Sequence, residues 1–526
     1  MNNGIRVVEA KRLDRLGTCY PIYERFDGHQ DAGLAPQIRA EINGPGILFR
    51  ESAEYPLAET SFTPYDRIGK ETSKPLHDES LLSELAKKMA EWPARWGKYQ
   101  FNASGIPAAY TYLGQLIAHD LTHYEPPAFP VQYRSAYLDF NSVFARDLDL
   151  CAGASVREGG GFALGCTTAN QQDDLPRTKC GETIMHDKRN DQNLTLSQLV
   201  VLITKFYQFL AIGSADAAES RLVARRHMQW IVLYDYLPRI IDPVVYRDVI
   251  RSRSWPLLGE GAGLIPIEFA AASFRLGHAM VRYVYPHWRR GGSSADLSDL
   301  LHFTGHSAAS RLGCIEGEAR LPDDWTVGWP FLLPSEENST RTSLSAAIDE
   351  NLALDMFNLP DSIGDCAMSA PTPIGTKNGT FNLAEHTLIR GNRLRIDSAQ
   401  ALSSVAHARL KEAGASPLPR RLPALRVAQT RSPGLSDFLM SETAASLRHE
   451  TPLWFYFLRE ADVHASGQHF GPLASRITME TIYRAIWNDP DSILRTDFAP
   501  DFTDNDGKFG LKDLHAVVQK HWKPEA

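Results

Sequence analysis

Residues 110–127 read YTYLGQLIAHDLTHYEPP, and the reading of this stretch decides how the rest of the chain is understood. Its spacing predicts a helix on which Gln115 and His119, four residues apart, leave from one face. Asp120 is turned about 100° from His119 and is placed to serve a second site on another face. A polar pair aimed one way and a carboxylate aimed another suit a helix lying between a reactive pocket and a cation. The same pattern also suits an amphipathic helix whose His and Gln are simply satisfied polar residues.

Composition narrows the setting. The 526 residues suffice for one large core or two ordinary ones, and 43% hydrophobic with 22% charged residues is a globular composition. There are 55 basic against 63 acidic residues, net −8. With no basic block or basic stripe interleaved with aromatics, nucleic acid is not an expected partner. The N-terminal MNNGIRVVEAKRLDR lacks an apolar signal core, and no unbroken apolar run is long enough to span a bilayer. No transmembrane segment is therefore expected, and a cytoplasmic location is. The 6 cysteines (Cys19, Cys151, Cys166, Cys180, Cys314, Cys366) form no CxxC and read as buried thiols.

The expected fold is mainly α, a single large helical domain with little β and an N-terminal arm. Residues 1–94 carry many turn formers and read as that arm, ending in a helix around Leu81–Glu91. Residues 95–526 read as the catalytic domain, with a long Gly-rich polar loop over 152–190. Thr195 and Gln198 have capping-box spacing before LVVLITKFYQFLAI. Further helices are expected over 266–286, between Pro266 and Pro286, and over 343–357, 398–414 and 477–487. The acidic stretch DFTDNDGKFG near residue 505 fails EF-hand spacing and reads as a turn.

The opening stretch resembles the distal helix of the animal-type haem peroxidases (the peroxidase–cyclooxygenase superfamily), its bacterial branch in particular. Four more segments match in the same chain order: YRSAYLDFNSVF (133–144), HDKRNDQNLTLSQL (186–199), FRLGHAMVRYVYP (274–286) and LAEHTLIRGNRLRI (383–396). The resemblance runs from about Pro107 to about Gly471 and implies bound haem b and calcium. It makes His119 the distal residue that moves the peroxide proton, Gln115 its companion over the haem, and Arg189 the cation that steadies O–O cleavage. It makes His278 the iron ligand, beside a Gly277 that permits close approach, with Arg275 and Arg390 meeting the propionates. Thr387 stands where the family usually has an Asn bound to the proximal imidazole N–H. Calcium would take oxygens from Asp120, Ser135, Tyr137 (carbonyl), Asp139 and Asn141. His123, four residues beyond His119, also raises a metal pair, but no third ligand accompanies it.

Departures from the family refine the expectation. Ala118 and Gln192 occupy the positions of the carboxylates that esterify haem in animal members, so haem is expected to be non-covalent. Arg275 stands where fatty-acid oxygenases carry a radical-forming tyrosine, leaving Tyr112, Tyr207 and Tyr283 as other phenols able to hold a radical. The resemblance thus implies a peroxidase that reduces hydrogen peroxide through a ferryl intermediate and oxidises a small organic donor. Two alternatives stay open: a biosynthetic haem oxidase acting on one bound metabolite, and a catalytically idle relative serving as a binding scaffold.

Overall fold

Helices dominate wherever the apolar periodicity is sustained, and their packing brings the matched segments together. The computed structural model describes residues 63–91, 103–122, 135–144, 163–185, 187–212, 216–259, 264–305, 307, 310–315, 318–334, 340–360, 380–504 and 507–523. It also gives the backbone of strands Gly4–Leu13, Cys19–Phe26, Ile47–Leu48 and Val131–Gln132. His123, Cys151, Cys366 and the tip of the 505 turn lie outside the described residues.

The chain divides into two units, Met1–Phe62 with Leu150–Ala152, and Thr63–Asp149 with Gly153–Ala526. In the first, strands Gly4–Leu13 and Cys19–Phe26 pair antiparallel, Gly4 opposite Phe26 and Leu13 opposite Cys19. Strand Ile47–Leu48 joins the other edge of Gly4–Leu13. The second unit begins at Thr63. Helix α1 (Glu79–Ala90), expected at the end of the arm, instead packs within this unit, burying Leu82, Leu85, Ala86 and Met89.

Helix α2 (Ala109–Leu121) carries Gln115 and His119, and α3 (Leu194–Ile212) runs beside it. Leu194 through Tyr207 are buried without interruption, with Gln198 and Lys205 among them satisfied by Asp173. By length and composition α3 could cross a membrane, but 72% of its apolar window is buried inside the protein. It is a core helix. Helix α4 (Ala217–Ile231) packs on α3 and opens with Asp216 accepting from Ala218 N–H. Helices α5 (Leu383–Arg393), α6 (Ala399–Glu412), α7 (Leu453–Ala465) and α8 (Pro472–Asn488) follow. The helix expected over 398–414 forms as the slightly shorter α6, and that expected over 477–487 lies within α8.

Three local expectations are corrected. First, the capping box at Thr195 and Gln198 does not form. Asn193 Oδ1 accepts from Leu196 N–H and starts α3 earlier, while Thr195 Oγ1 accepts the Trp288 indole N–H and Gln198 donates to Asp173 O. Second, 266–286 is not one helix. Ile267–Ala271 ends at Ala272 (φ −136°, ψ −70°), and a tighter 3₁₀ segment spans Ser273–Met280. Arg275 Nε donates to Ala270 O, supplying a donor where the helix breaks. Third, 343–357 is not helical. Leu344–Ala346 pairs with strand Ala103–Pro107, and only Leu354–Phe357 turns as 3₁₀. Glu350 is drawn inward by the buried Arg459, 2.7 Å away.

The 3₁₀ segment packs against α2, α7 and α8, and α5 lies against α7. The matched segments therefore share one region. The polar loop before α3 is fixed as well, because buried Arg177 bridges Asp174 at 2.9 Å and Asp191 at 2.8 Å.

Candidate active site

His119 is buried on α2, and its Nδ1 lies 2.9 Å from Asn190 Oδ1. Asn190 is fully enclosed, and its Nδ2 donates to Ser142 O at 3.0 Å. An amide whose nitrogen is committed to a carbonyl presents its oxygen to the imidazole. His119 therefore carries its proton on Nδ1, and Nε2 is left as the basic nitrogen. The amide thereby fixes the imidazole tautomer. Asn190 was not singled out in the sequence, although it adjoins Arg189 in a matched segment.

Gln115 is held by two side chains from the start of α3. Its Oε1 accepts from Asn193 Nδ2 at 2.8 Å, and its Nε2 donates to Gln192 Oε1 at 3.3 Å. Gln192 and Asn193 thus fix the orientation of the Gln115 amide.

Arg189 sits where expected in the chain, but its guanidinium works on the end of α2. It pairs with Asp187 at 2.7 Å and donates to His119 O at 2.7 Å and Thr122 O at 2.8 Å. A cation on the last carbonyls of a helix complements its dipole and satisfies groups the helix leaves without partners. With most of its N–H donors directed to these acceptors, Arg189 is first a clamp on the helix that carries His119.

On the other side, His278 lies in the 3₁₀ segment. The residue as a whole is partly accessible, yet Nδ1 is buried without a hydrogen-bond partner. Burial, reinforced by the nearby Arg275 guanidinium, pushes its pKa down to about 3, so the imidazole is neutral and able to ligate a metal. Thr387 Oγ1, expected to receive the Nδ1 proton, is likewise buried and unpartnered, and no hydrogen bond joins the two. A threonine hydroxyl ends closer to the backbone than an Asn amide oxygen, which accounts for the missing link. A cavity of about 20 Å³ borders Thr387, Ala271, Ala272, Leu453 and Trp454.

His386, unnoticed in the sequence, belongs to the same cluster. Burial first, then the charges of Arg390, Arg275 and His278, hold its pKa well below the usual value. Arg275 and Arg390 thus focus positive potential beside His278, where two carboxylates of a prosthetic group would be stabilised. The orphaned Nδ1 and the two guanidiniums fit a haem.

The expected calcium oxygens are partly assembled. Asp139 Oδ2 accepts from Ser135 Oγ at 2.8 Å and Asn141 Nδ2 at 2.7 Å. Asp120 reaches the same loop, accepting from Phe140 N–H at 2.7 Å and Ser142 N–H at 3.0 Å. Phe140 is fully buried with φ +54°, a left-handed backbone uncommon for a bulky residue, and the Asp120 carboxylate holds its N–H. The Tyr137 side chain points outward, 41% exposed, compatible with a carbonyl-only role. Asn141 turns its amide nitrogen toward Asp139, so the amide must rotate to offer oxygen to a cation. Among the described residues no cluster of three or more His, Cys, Asp or Glu side chains forms a metal site. The loop would bind through mixed oxygens.

No protein-family model matches the sequence, and no curated protein sequence matches it. Solved structures do resemble it. Peroxidase A from Dictyostelium discoideum superposes with a TM-score of 0.54 at 14% identity, over 82% of this chain and 88% of that one. Oryza sativa fatty acid alpha-dioxygenase superposes with a TM-score of 0.55 at 11% identity, over 88% of this chain and 80% of that one. At these identities the likeness is one of fold. That fold is mainly α, as the sequence resemblance implies.

Proposed function

We propose that this protein is a haem-dependent oxidoreductase of the peroxidase type, reducing hydrogen peroxide at the expense of an organic donor. The observation that carries the reading is the Asn190–His119 hydrogen bond, which makes His119 Nε2 a base on the helix packed against the His278 segment. Haem b, when bound, supplies an iron that accepts peroxide and a macrocycle that stores oxidising equivalents. His278 would hold the iron, with Arg275 and Arg390 meeting the propionates. His119 Nε2 takes the proton from the inner peroxide oxygen and returns it to the outer one, which leaves as water. Gln115, fixed by Gln192 and Asn193, orients water beside it. Arg189 keeps the end of α2 in place and adds positive charge near the developing negative one.

Without ester-forming carboxylates at 118 and 192, haem would be retained by ligation, charge and packing alone. Calcium bound by Asp120, Ser135, Asp139, Asn141 and the Tyr137 carbonyl would tie the Ser142 loop to α2, and through Asn190 to His119.

The alpha-dioxygenase likeness supports a second reading, oxygen insertion into a bound lipid or metabolite. Arg275 weighs against that design, because a guanidinium bound to Ala270 O stands where the radical phenol would be. Haem reconstitution followed by a donor panel tests the choice. Peroxide-dependent oxidation of simple phenols supports the first reading, and peroxide-independent uptake of dioxygen with a fatty acid alone supports the second.

A further inference from the structure

Tyr112 lies seven residues before His119, on the same face of α2. Its hydroxyl donates to Tyr285 Oη at 2.9 Å, and Tyr285 lies seven residues beyond His278. The pair thus joins α2 to the chain leaving the His278 segment. From there the contacts continue outward. Thr195 lies on α3, the helix packed beside α2, and its Oγ1 accepts from Trp288 Nε1 at 2.9 Å. The Trp288 and Trp325 rings are 6.4 Å apart between centroids. Trp288 is fully buried and Trp325 nearly so, at 9%. Arg289 lies 3.5 Å over the Trp325 ring and reaches Asp324, whose side chain is 71% exposed.

We infer that Trp288 and Trp325 form an electron relay from the haem site to the surface at Arg289 and Asp324, which overlie Trp325 and where donors too large to enter the site are oxidised. This rests on the peroxidase reading and names a second donor class for it. In each step one electron passes from the outer donor to oxidised Trp325, from Trp325 to oxidised Trp288, and from Trp288 to the oxidising equivalent that peroxide leaves in the site. A phenolic donor also releases a proton to solvent, whereas a reduced haem protein gives up its electron alone.

The indoles keep their N–H protons, since Trp288 is bonded only to a hydroxyl, a poor proton acceptor. The tyrosines serve as contacts and are not oxidised. Tyr112 has a hydroxyl partner, and Tyr285 pairs with Tyr112 and the Arg282 N–H, so neither has a base to take its proton. Burial raises both phenol pKa values further. A guanidinium over the Trp325 ring disfavours its radical cation, so a hole arriving there is strongly oxidising toward an outside donor.

The test uses haem-loaded protein, hydrogen peroxide, and two donors: guaiacol, a small phenol, and reduced cytochrome c, a protein that cannot enter the site. Trp325→Phe should lose cytochrome c oxidation while guaiacol oxidation and the Soret band stay as in wild type, and Trp325→Tyr should restore part of the loss. Freeze-quench EPR should show a radical that narrows when tryptophan is ring-deuterated and disappears in Trp288→Phe. Unchanged cytochrome c oxidation in Trp325→Phe, or a radical that responds only to tyrosine deuteration, would overturn the relay. Failure of the wild type with both donors would instead overturn the peroxidase reading beneath it.

Discussion

His119 Nδ1 and Asn190 Oδ1 lie 2.9 Å apart, and the same Asn190 amide binds Ser142 O in the loop that Asp120 also holds. One buried carboxamide therefore links the proposed base, its tautomer and the candidate calcium loop.

Asn190→Leu removes the acceptor and leaves the His119 tautomer unspecified. The reaction of haem-loaded protein with peroxide should slow by about 10–100-fold, the usual cost of losing such an orienting partner. Asn190→Asp keeps an acceptor at Nδ1 and should recover most of the rate. A purely structural role would predict equal damage from both, so stopped-flow rates for the pair decide the matter.

Calcium removal should act through the same chain of contacts. An ion bound only by the folded state stabilises it by mass action, so a chelator should lower the melting temperature of wild type. Asp120→Ala and Asp139→Ala should abolish that chelator sensitivity, and Asp120→Ala should also free the strained Phe140 N–H. Elemental analysis that finds no calcium in protein prepared without chelator would remove the site.

Arg189→Ala should destabilise the fold, since His119 O and Thr122 O lose their shared donor and Asp187 loses its cation. A loss of about 1–3 kcal/mol is expected for such unpartnered buried groups. Lys cannot reproduce the forked contacts, so Arg189→Lys should recover little of it. Denaturant titration measures this directly. Unchanged stability in Arg189→Ala would mean the clamp contributes nothing.

Thr387→Asn should supply the acceptor that His278 Nδ1 lacks, with the neighbouring cavity giving room for the longer side chain. The haem-loaded variant should melt higher and show a lower iron reduction potential, as a stronger bond to the proximal N–H makes the ligand more basic. No change in potential would show that Asn at 387 does not reach the ring.

Glu460 caps the start of α8, with Oε2 accepting from Leu473 N–H at 3.1 Å, and burial raises its pKa from 4.5 to about 8. The folded state then binds a proton that the unfolded chain gives up, so this contribution to stability is complete below pH 4.5 and is lost as pH rises toward 8. Glu460→Gln keeps an acceptor without the ionisation. It should flatten the fall in melting temperature across that window, and an identical slope in both proteins would assign the pH dependence elsewhere.

Much of this was legible in the sequence, and the exceptions share a cause. Gln115 and His119 could be placed on one helix face because the spacing is local. The Asn190–His119 bond joins residues 71 positions apart and leaves no periodic mark. Pro266 and Pro286 bracket an apolar segment that reads as one helix, but packing splits it at Ala272. The apolar pattern of 343–357 suits a helix, whereas pairing with Ala103–Pro107 and the Arg459 charge draw it into other conformations. Arg189 stands in a local sequence motif, yet its partners at the end of α2 appear only in three dimensions.

The most direct test of the central claim is stopped-flow absorbance of haem-loaded wild type and His119→Ala mixed with hydrogen peroxide. The wild type should show a histidine-ligated Soret band that shifts rapidly on mixing, and His119→Ala should keep the band but shift about 10²–10⁴-fold more slowly, as expected when one acid–base group is lost. Equal rates in the two proteins, or no Soret band in the wild type, would contradict it.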